Sequence, residues 1–149
     1  MSTELTLRCA TSADMPLLMG HIADFYAEDH IVLHRQRVQD GLQALLADAR
    51  HGAVLVLATD TLEFAGYITL GCCFSLEHGG RFVLLDELYL APAARGAGLG
   101  RKALTLAADW ARAQGAAVMR LEVNHHNARA KGLYLSCGYR DDQRDLLTL

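Results

Sequence analysis

No lysine- and arginine-rich run occurs in this sequence, and its formal net charge is −3 with histidine neutral. Nucleic-acid binding therefore gets no electrostatic support. No stretch approaches the roughly 18 consecutive apolar residues of a membrane span. The opening Met1-Ser2-Thr3-Glu4 lacks the basic-then-apolar layout of a secretory signal. These absences predict a cytoplasmic protein with neither a nucleic-acid nor a membrane partner. Cysteine is scarce: Cys9, Cys72, Cys73 and Cys137 form no C-x-x-C pair, three lie in apolar runs, and they read as reduced core thiols. The seven histidines form no H-E-x-x-H or comparable cluster, so no metal is expected. A P-loop is excluded because no G-x-x-x-x-G-K-[ST] string exists.

What is present is an ordinary globular composition, 52% hydrophobic and 21% charged. A chain of 149 residues is the size of one domain, taken here as 1–149. Such a domain buries roughly 68–70% of the surface its unfolded chain exposes, so it needs no disulfide or metal to hold it. Alternation at Glu4–Cys9 predicts a first strand. Helical spacing predicts helices over Ala13–Asp29 and Arg35–Arg50, with Leu17, Leu18, Ile22, Phe25 and Tyr26 on the first and Val38, Leu42, Leu45 and Leu46 on the second. Strands follow at Ala53–Ala58, Glu63–Phe74 and Arg81–Leu90, separated by turns. A helix to about Gln114 has Leu99, Ala103, Leu106, Ala107 and Trp110 facing inward. A strand at Val118–Val123 and a helix from Asn127 to Cys137 come next, and Tyr139 and Leu146–Leu149 suggest closing strands. The order β-α-α-β-β-β-α-β-α-β(-β) is an α/β fold, a mixed sheet with helices on both faces.

The segment Arg95-Gly96-Ala97-Gly98-Leu99-Gly100 lies between a strand and a helix. Glycines let a backbone approach a ligand, and a helix start offers unpaired N–H groups and partial positive charge. Together they make an anion cradle suited to phosphate or pyrophosphate, with Arg95 and Arg101 or Lys102 adding charge. A tight structural turn is the plainer reading. A dinucleotide fingerprint fits poorly: the spacing is not G-x-G-x-x-G, and only 27 residues follow Glu122, too few for a second nucleotide-binding half.

The stretch Leu85-Asp86-Glu87-Leu88-Tyr89-Leu90-Ala91-Pro92-Ala93-Ala94-Arg95-Gly96-Ala97-Gly98-Leu99-Gly100 resembles the GNAT acyltransferase signature, a strand, then Pro, then [QR]-x-x-G-x-[GA] at a helix start. A second block, Leu121-Glu122-Val123 followed by Asn127-x-x-Ala130-x-x-x-Tyr134-x-x-x-Gly138-Tyr139, matches in the right order and spacing. The resemblance implies a single GNAT domain and acetyl-CoA as co-substrate. It places the CoA pyrophosphate on Arg95, Gly96, Ala97, Gly98, Leu99, Gly100 and Arg101. It lays the pantetheine arm along Leu88, Tyr89 and Leu90, where one N–H would hold the thioester oxygen. Asn127 matches the asparagine that bonds the CoA arm, and a helix N-cap is its plainer role. Tyr134 matches the tyrosine that protonates the departing thiolate; a buried stripe tyrosine is the plainer alternative.

An amine of pKa about 10.4 costs about 4–5 kcal/mol to deprotonate at pH 7, so a proton acceptor is needed near the nitrogen. Asp86 and Glu87 lie on the thioester strand. As neighbours they should point to opposite faces, Asp86 with Leu88 and Leu90 and Glu87 with Tyr89, unless a bulge resets the count. A sheet-face charge or an ion pair with Arg81 is the competing use. Glu28 and Asp29, at the end of the first helix, sit where they oppose the helix dipole, and a solvated loop edge competes with a substrate role. The acidic residues at 28–29 and 86–87, together with Phe25-Tyr26 and the run Ile31-Val32-Leu33, also resemble the diamine (polyamine) and thialysine acetyltransferase branch. That implies a small cationic primary amine as acceptor, attacked directly, and by analogy a homodimer. The alternatives are a non-catalytic acyl-CoA-binding sensor or an acetyltransferase acting on a protein or peptide amine.

Overall fold

A computed structural model of the chain describes residues 3–149. Strand β1 (Leu5–Cys9) leads through a single 3-10 turn into α1 (Met15–Glu28), followed by α2 (Arg35–Ala47). Three long antiparallel strands come next, β2 (Gly52–Thr59), β3 (Gly66–Ser75) and β4 (Gly80–Leu90). Helix α3 (Leu99–Ala113), strand β5 (Val118–Leu121) and helix α4 (Ala128–Ser136) complete the regular elements. The sheet order is β1-β2-β3-β4-β5, and only the β4–β5 pair is parallel. The mixed α/β domain therefore forms as its sequence pattern implies.

Both sheet faces are covered. On one side Leu55, Leu57, Ile68, Leu70, Val83 and Leu85 pack against Leu99, Ala103, Leu104, Ala107 and Ala111 of α3. On the other, Val54, Tyr67 and Tyr89 pack against Leu18, Met19, Ile22 and Leu42 of α1 and α2. Strands buried on both faces read as continuous apolar runs, which explains Val54-Leu55-Val56-Leu57 in β2. The buried stripe of α3 is rotated from the expected one: Leu104 and Ala111 are buried, while Leu106 and Trp110 are only partly so.

Three expectations need correction. The long strand starts at Gly66 rather than Glu63, because the chain is still turning there: Thr59 N–H donates to Leu62 O (2.8 Å) and Leu62 N–H to Thr59 Oγ1 (3.1 Å). No closing strand forms after Gly138; Gln143 takes a left-handed backbone (φ 57°), and Leu146, Leu147 and Leu149 stand exposed. The segment is held to the rest of the fold instead by charge, Arg144 to Glu77 (2.7 Å) and Asp141 to Lys131 of α4 (2.7 Å). None of the free cysteines is fully buried, and Cys9, at the end of edge strand β1, is exposed.

The β1–α1 junction is pinned by Asp14, which is 7% exposed. Its carboxylate accepts two Arg8 guanidinium bonds of 2.8 Å and the Thr11 N–H at 2.8 Å. The Arg8 hydrogen bond is the main cause that draws this carboxyl down to about 2. A carboxyl depressed in the folded state stabilises it fully above the ordinary value of 3.8, and that contribution fades as pH falls through the folded value. Asp14→Ala is expected to lose about 1–2 kcal/mol in denaturant unfolding at pH 7. The difference from wild type should shrink as pH falls from about 4 to about 2.

Candidate active site

Strands β4 and β5 pair only from Phe82↔Val118 to Leu85↔Leu121. Beyond that point β4 runs on to Leu90 still paired with β3, but its other edge has no strand partner. The parting of the two strands opens into a cleft of about 2000 Å³ that includes Leu85–Leu88 on one wall and Leu121–Asn124 on the other, and that continues past β5 to the C-terminal segment at Arg140 and Leu147.

Next to the cleft, β4 passes through one 3-10 turn (Pro92–Ala94) into the glycine loop and α3. Gly96 and Gly98 adopt left-handed backbones (φ 88° and 72°), and nothing lies within 4 Å of where a Cβ on either would stand. Gly98 is the N-cap of α3, and no side chain caps the helix. The first N–H groups of α3 therefore have no side-chain acceptor at the positive end of a 15-residue helix. This geometry fits a diphosphate such as that of coenzyme A.

The charge expected from arginine is committed elsewhere. Arg95 donates to Leu90 O (2.9 Å) and to both Glu28 carboxylate oxygens (2.8 and 3.0 Å), with its guanidinium 5.5 Å from the Tyr89 ring centre. Arg101 donates to Ser136 Oγ (2.8 Å) and Ser136 O (3.3 Å), joining the start of α3 to the end of α4. The cradle's positive character therefore comes from main-chain dipoles.

The strand carrying Asp86 and Glu87 has a β-bulge. Glu87 pairs with Thr69 and Leu85 with Leu70, leaving Asp86 without a partner. An extra residue resets the alternation of side chains. Val83 and Leu85 lie on the α3 face, whereas Asp86 borders a hollow shared with Gly41, Ala44 and Leu45 of α2. Glu87 faces the same side, bonded to Tyr26 of α1. Opposite faces were expected; the bulge puts both carboxylates on the α1/α2 face, and both line the cleft.

Glu87 is held by two phenols. Tyr26 donates to Oε2 at 2.6 Å and Tyr67 to Oε1 at 2.8 Å. Burial raises the Glu87 pKa, the two hydroxyls lower it, Asp86 raises it again, and the net shift is upward. Burial also raises Asp86. Tyr67 is fully buried, while Tyr26 lines the cleft. Neither tyrosine is assigned a site role by the sequence: Tyr26 enters only with Phe25 in the resemblance and in the stripe of α1, and the signal for Tyr67 is a tyrosine two residues before Thr69 in a strand that is otherwise small or aliphatic there.

Tyr134, on α4, also lines the cleft, and burial first, then Asp29, raises its pKa, so it stays a proton donor at neutral pH. Asn127 caps α4, its Oδ1 accepting from Ala130 N–H at 3.2 Å. Asp29 and Glu28 are engaged with protein partners. Asp29 accepts from Asn124 (2.7 Å) and lies 3.4 Å from His126 Nε2. Glu28 holds Arg95 because α1 ends beside the turn that follows β4; it does not border the cleft that Asp29, Asp86 and Glu87 share.

A central mixed sheet that parts beside a glycine-rich helix start, with a tyrosine and paired carboxylates on the cleft walls, is the architecture of an acyltransferase-type α/β domain. The profile of the Acetyltransferase (GNAT) family matches residues 19–139, and the chain belongs to that family. It is 31% identical over 134 residues to the aminoalkylphosphonate N-acetyltransferase of Salmonella typhimurium, covering 90% of this chain and 84% of that one. It is 36% identical over 92 residues to the Bacillus subtilis protein named uncharacterized N-acetyltransferase YhfO, a match spanning 62% of each chain. Among solved structures it superimposes on an integron cassette protein from the mobile metagenome of Cole Harbour Salt Marsh with a TM-score of 0.82 and 30% identity, covering 96% of this chain and 88% of that one.

Gly98→Ala places a Cβ on a left-handed residue at the mouth of the cradle. Calorimetry is expected to show about tenfold or more weaker CoA binding, with the fold retained by circular dichroism.

Proposed function

We propose that this protein is an N-acetyltransferase that moves an acetyl group from acetyl-CoA to a primary amine of a small cationic acceptor by direct attack, in the cytoplasm. The supporting observation is the pairing of Asp86 and Glu87 on one face of β4, at the edge where that strand leaves β5 and beside the open glycine cradle. Acetyl-CoA supplies a thioester whose carbonyl carbon is open to the amine.

The chain's own residues do the rest. The amides of Gly96–Leu99 and the start of α3 bind the diphosphate. The free edge of Leu88–Leu90 orients the arm, although the Leu90 carbonyl is already shared with Arg95. Asp86 draws in the ammonium, and Glu87 takes up the proton the amine must lose. An elevated Glu87 pKa suits this task, since a base is most effective when its pKa approaches the working pH. Tyr134 hands its proton to the leaving thiolate. A sensor of acyl-CoA would have no use for these proton-transfer groups.

The acceptor class follows from charge. The cleft wall nearest the sheet presents two carboxylates, which favour a diamine, a lysine-like amino acid or an aminoglycoside-like molecule over an anionic acceptor. The chain also ends a sheet with the unpaired outer edge of β5 and carries exposed Leu146, Leu147 and Leu149. These features support a homodimer, for which light scattering should give about twice 16.2 kDa.

The test is CoA thiol release from acetyl-CoA over an amine panel that includes diamines, lysine analogues, aminoglycosides and aminoalkylphosphonates. Cationic acceptors should be the best substrates, and Tyr134→Phe should slow release by about 10²–10⁴-fold with CoA affinity kept. Tight CoA binding with no release from any amine would instead indicate a sensor.

A further inference from the structure

The two oxygens of Glu87 have different surroundings. Oε1 accepts from Tyr67, which is 0% exposed and belongs to the core beneath α1. Oε2 accepts from Tyr26, which lines the cleft. An ionised carboxylate only accepts, so the hydrogen of the Tyr26 phenol is fixed on Glu87 and the lone pairs of that phenol oxygen are left for another donor. At 2.6 Å this is a short, charge-assisted bond, along which a proton moves little distance. The donor that the cleft is built to receive is an ammonium group.

We propose that Tyr26 is a catalytic residue that relays the acceptor's proton to Glu87, and that Tyr67 is a positioning residue that orients the carboxylate. This rests on the acyltransferase reading. One ammonium N–H bond breaks as its proton passes to the Tyr26 oxygen, while the Tyr26 proton passes to Glu87 Oε2. The tyrosine ends neutral, Glu87 becomes a carboxylic acid, and the freed nitrogen lone pair forms the N–C bond as the C–S bond breaks. The second nitrogen proton balances the thiolate, delivered in effect through Tyr134, and Glu87 later returns its proton to water.

The surroundings favour relay over a free tyrosinate. Burial, the Glu87 bond, and the charges of Glu87 and Asp86 all push the Tyr26 phenol upward, so it never carries negative charge at neutral pH. The groups facing the carboxylate are Tyr26 from α1, Tyr67 from β3 and Asp86 from its own strand. The rival account is structural: the two phenols tie α1 to the sheet, and Glu87 meets the amine directly.

The test is steady-state thiol release with the best amine of the panel, across pH and in mixtures of light and heavy water. With the relay, the wild-type proton inventory on kcat/KM is curved, showing two protons in motion. Tyr26→Phe then lowers kcat about 10²–10³-fold with CoA affinity unchanged, and its inventory becomes linear. Tyr67→Phe removes a hydrogen bond that favours the charged carboxylate, so the acidic limb of its pH profile moves to higher pH with a smaller loss at the plateau. A linear wild-type inventory, which needs no variant to fold, or a Tyr26→Phe kcat within about threefold of wild type overturns the relay and leaves acetyl transfer standing. No release by wild type with any amine removes the acetyl-transfer reading, and the relay with it.

Discussion

The single unpaired residue in β4 governs the geometry of the site. A regular strand would alternate Asp86 and Glu87 across the sheet and send one carboxylate into the apolar face beneath α3. The bulge opposite Thr69 and Leu70 turns both toward α1 and α2. Below it, Val83 and Leu85 remain in the α3 core; above it, Leu88 and Leu90 return to that side while Tyr89 packs under α1. The strand thus keeps its hydrophobic anchoring at both ends and presents two charges between them. Bulges recur where a sheet must re-aim a side chain, and here the re-aiming coincides with the point where β5 leaves.

Electrostatics differ between the cleft and the glycine loop next to it. The loop offers main-chain amides, and the nearby guanidiniums are already paired, Arg95 with Glu28 and Arg101 with the end of α4. Amides fixed by a helix need no reorganisation to receive a phosphate, whereas a free arginine must be ordered first. The carboxylates are the reverse: Glu87 sits where burial works against its charge and has two phenol donors to offset it, whereas Asp86 is more exposed and has none. A cation brought to this wall would offset the rest, which is the physical content of the basic acceptor we propose.

Much of the scaffold was legible in the sequence because its signals are local. Helical stripes, strand runs and the glycine loop each follow from spacing and from what a glycine-rich helix start does to phosphate. The fates of particular polar groups were not legible, because they depend on partners far along the chain. Tyr26 and Glu87 are 61 residues apart, and Arg95 and Glu28 are 67 apart. The tail shows the same limit: Tyr139 and the leucines at 146–149 have strand-like composition, but a strand needs an edge in the right register, and charge pairs at Asp141 and Arg144 hold the segment otherwise. The bulge fell between these cases, since nothing in the composition of Leu84–Leu88 marks an extra residue.

Asp29 also joins parts that are distant in sequence. It closes the last turn of α1 and at the same time holds Asn124 and His126 of the segment between β5 and α4. That segment forms one bank of the cleft, and Tyr26, three residues before Asp29, stands on the other. The two banks are therefore laced together at one carboxylate. Any widening of the channel to admit a bulky guest must either untie that knot or carry the end of α1, and the phenol on it, along with the moving bank.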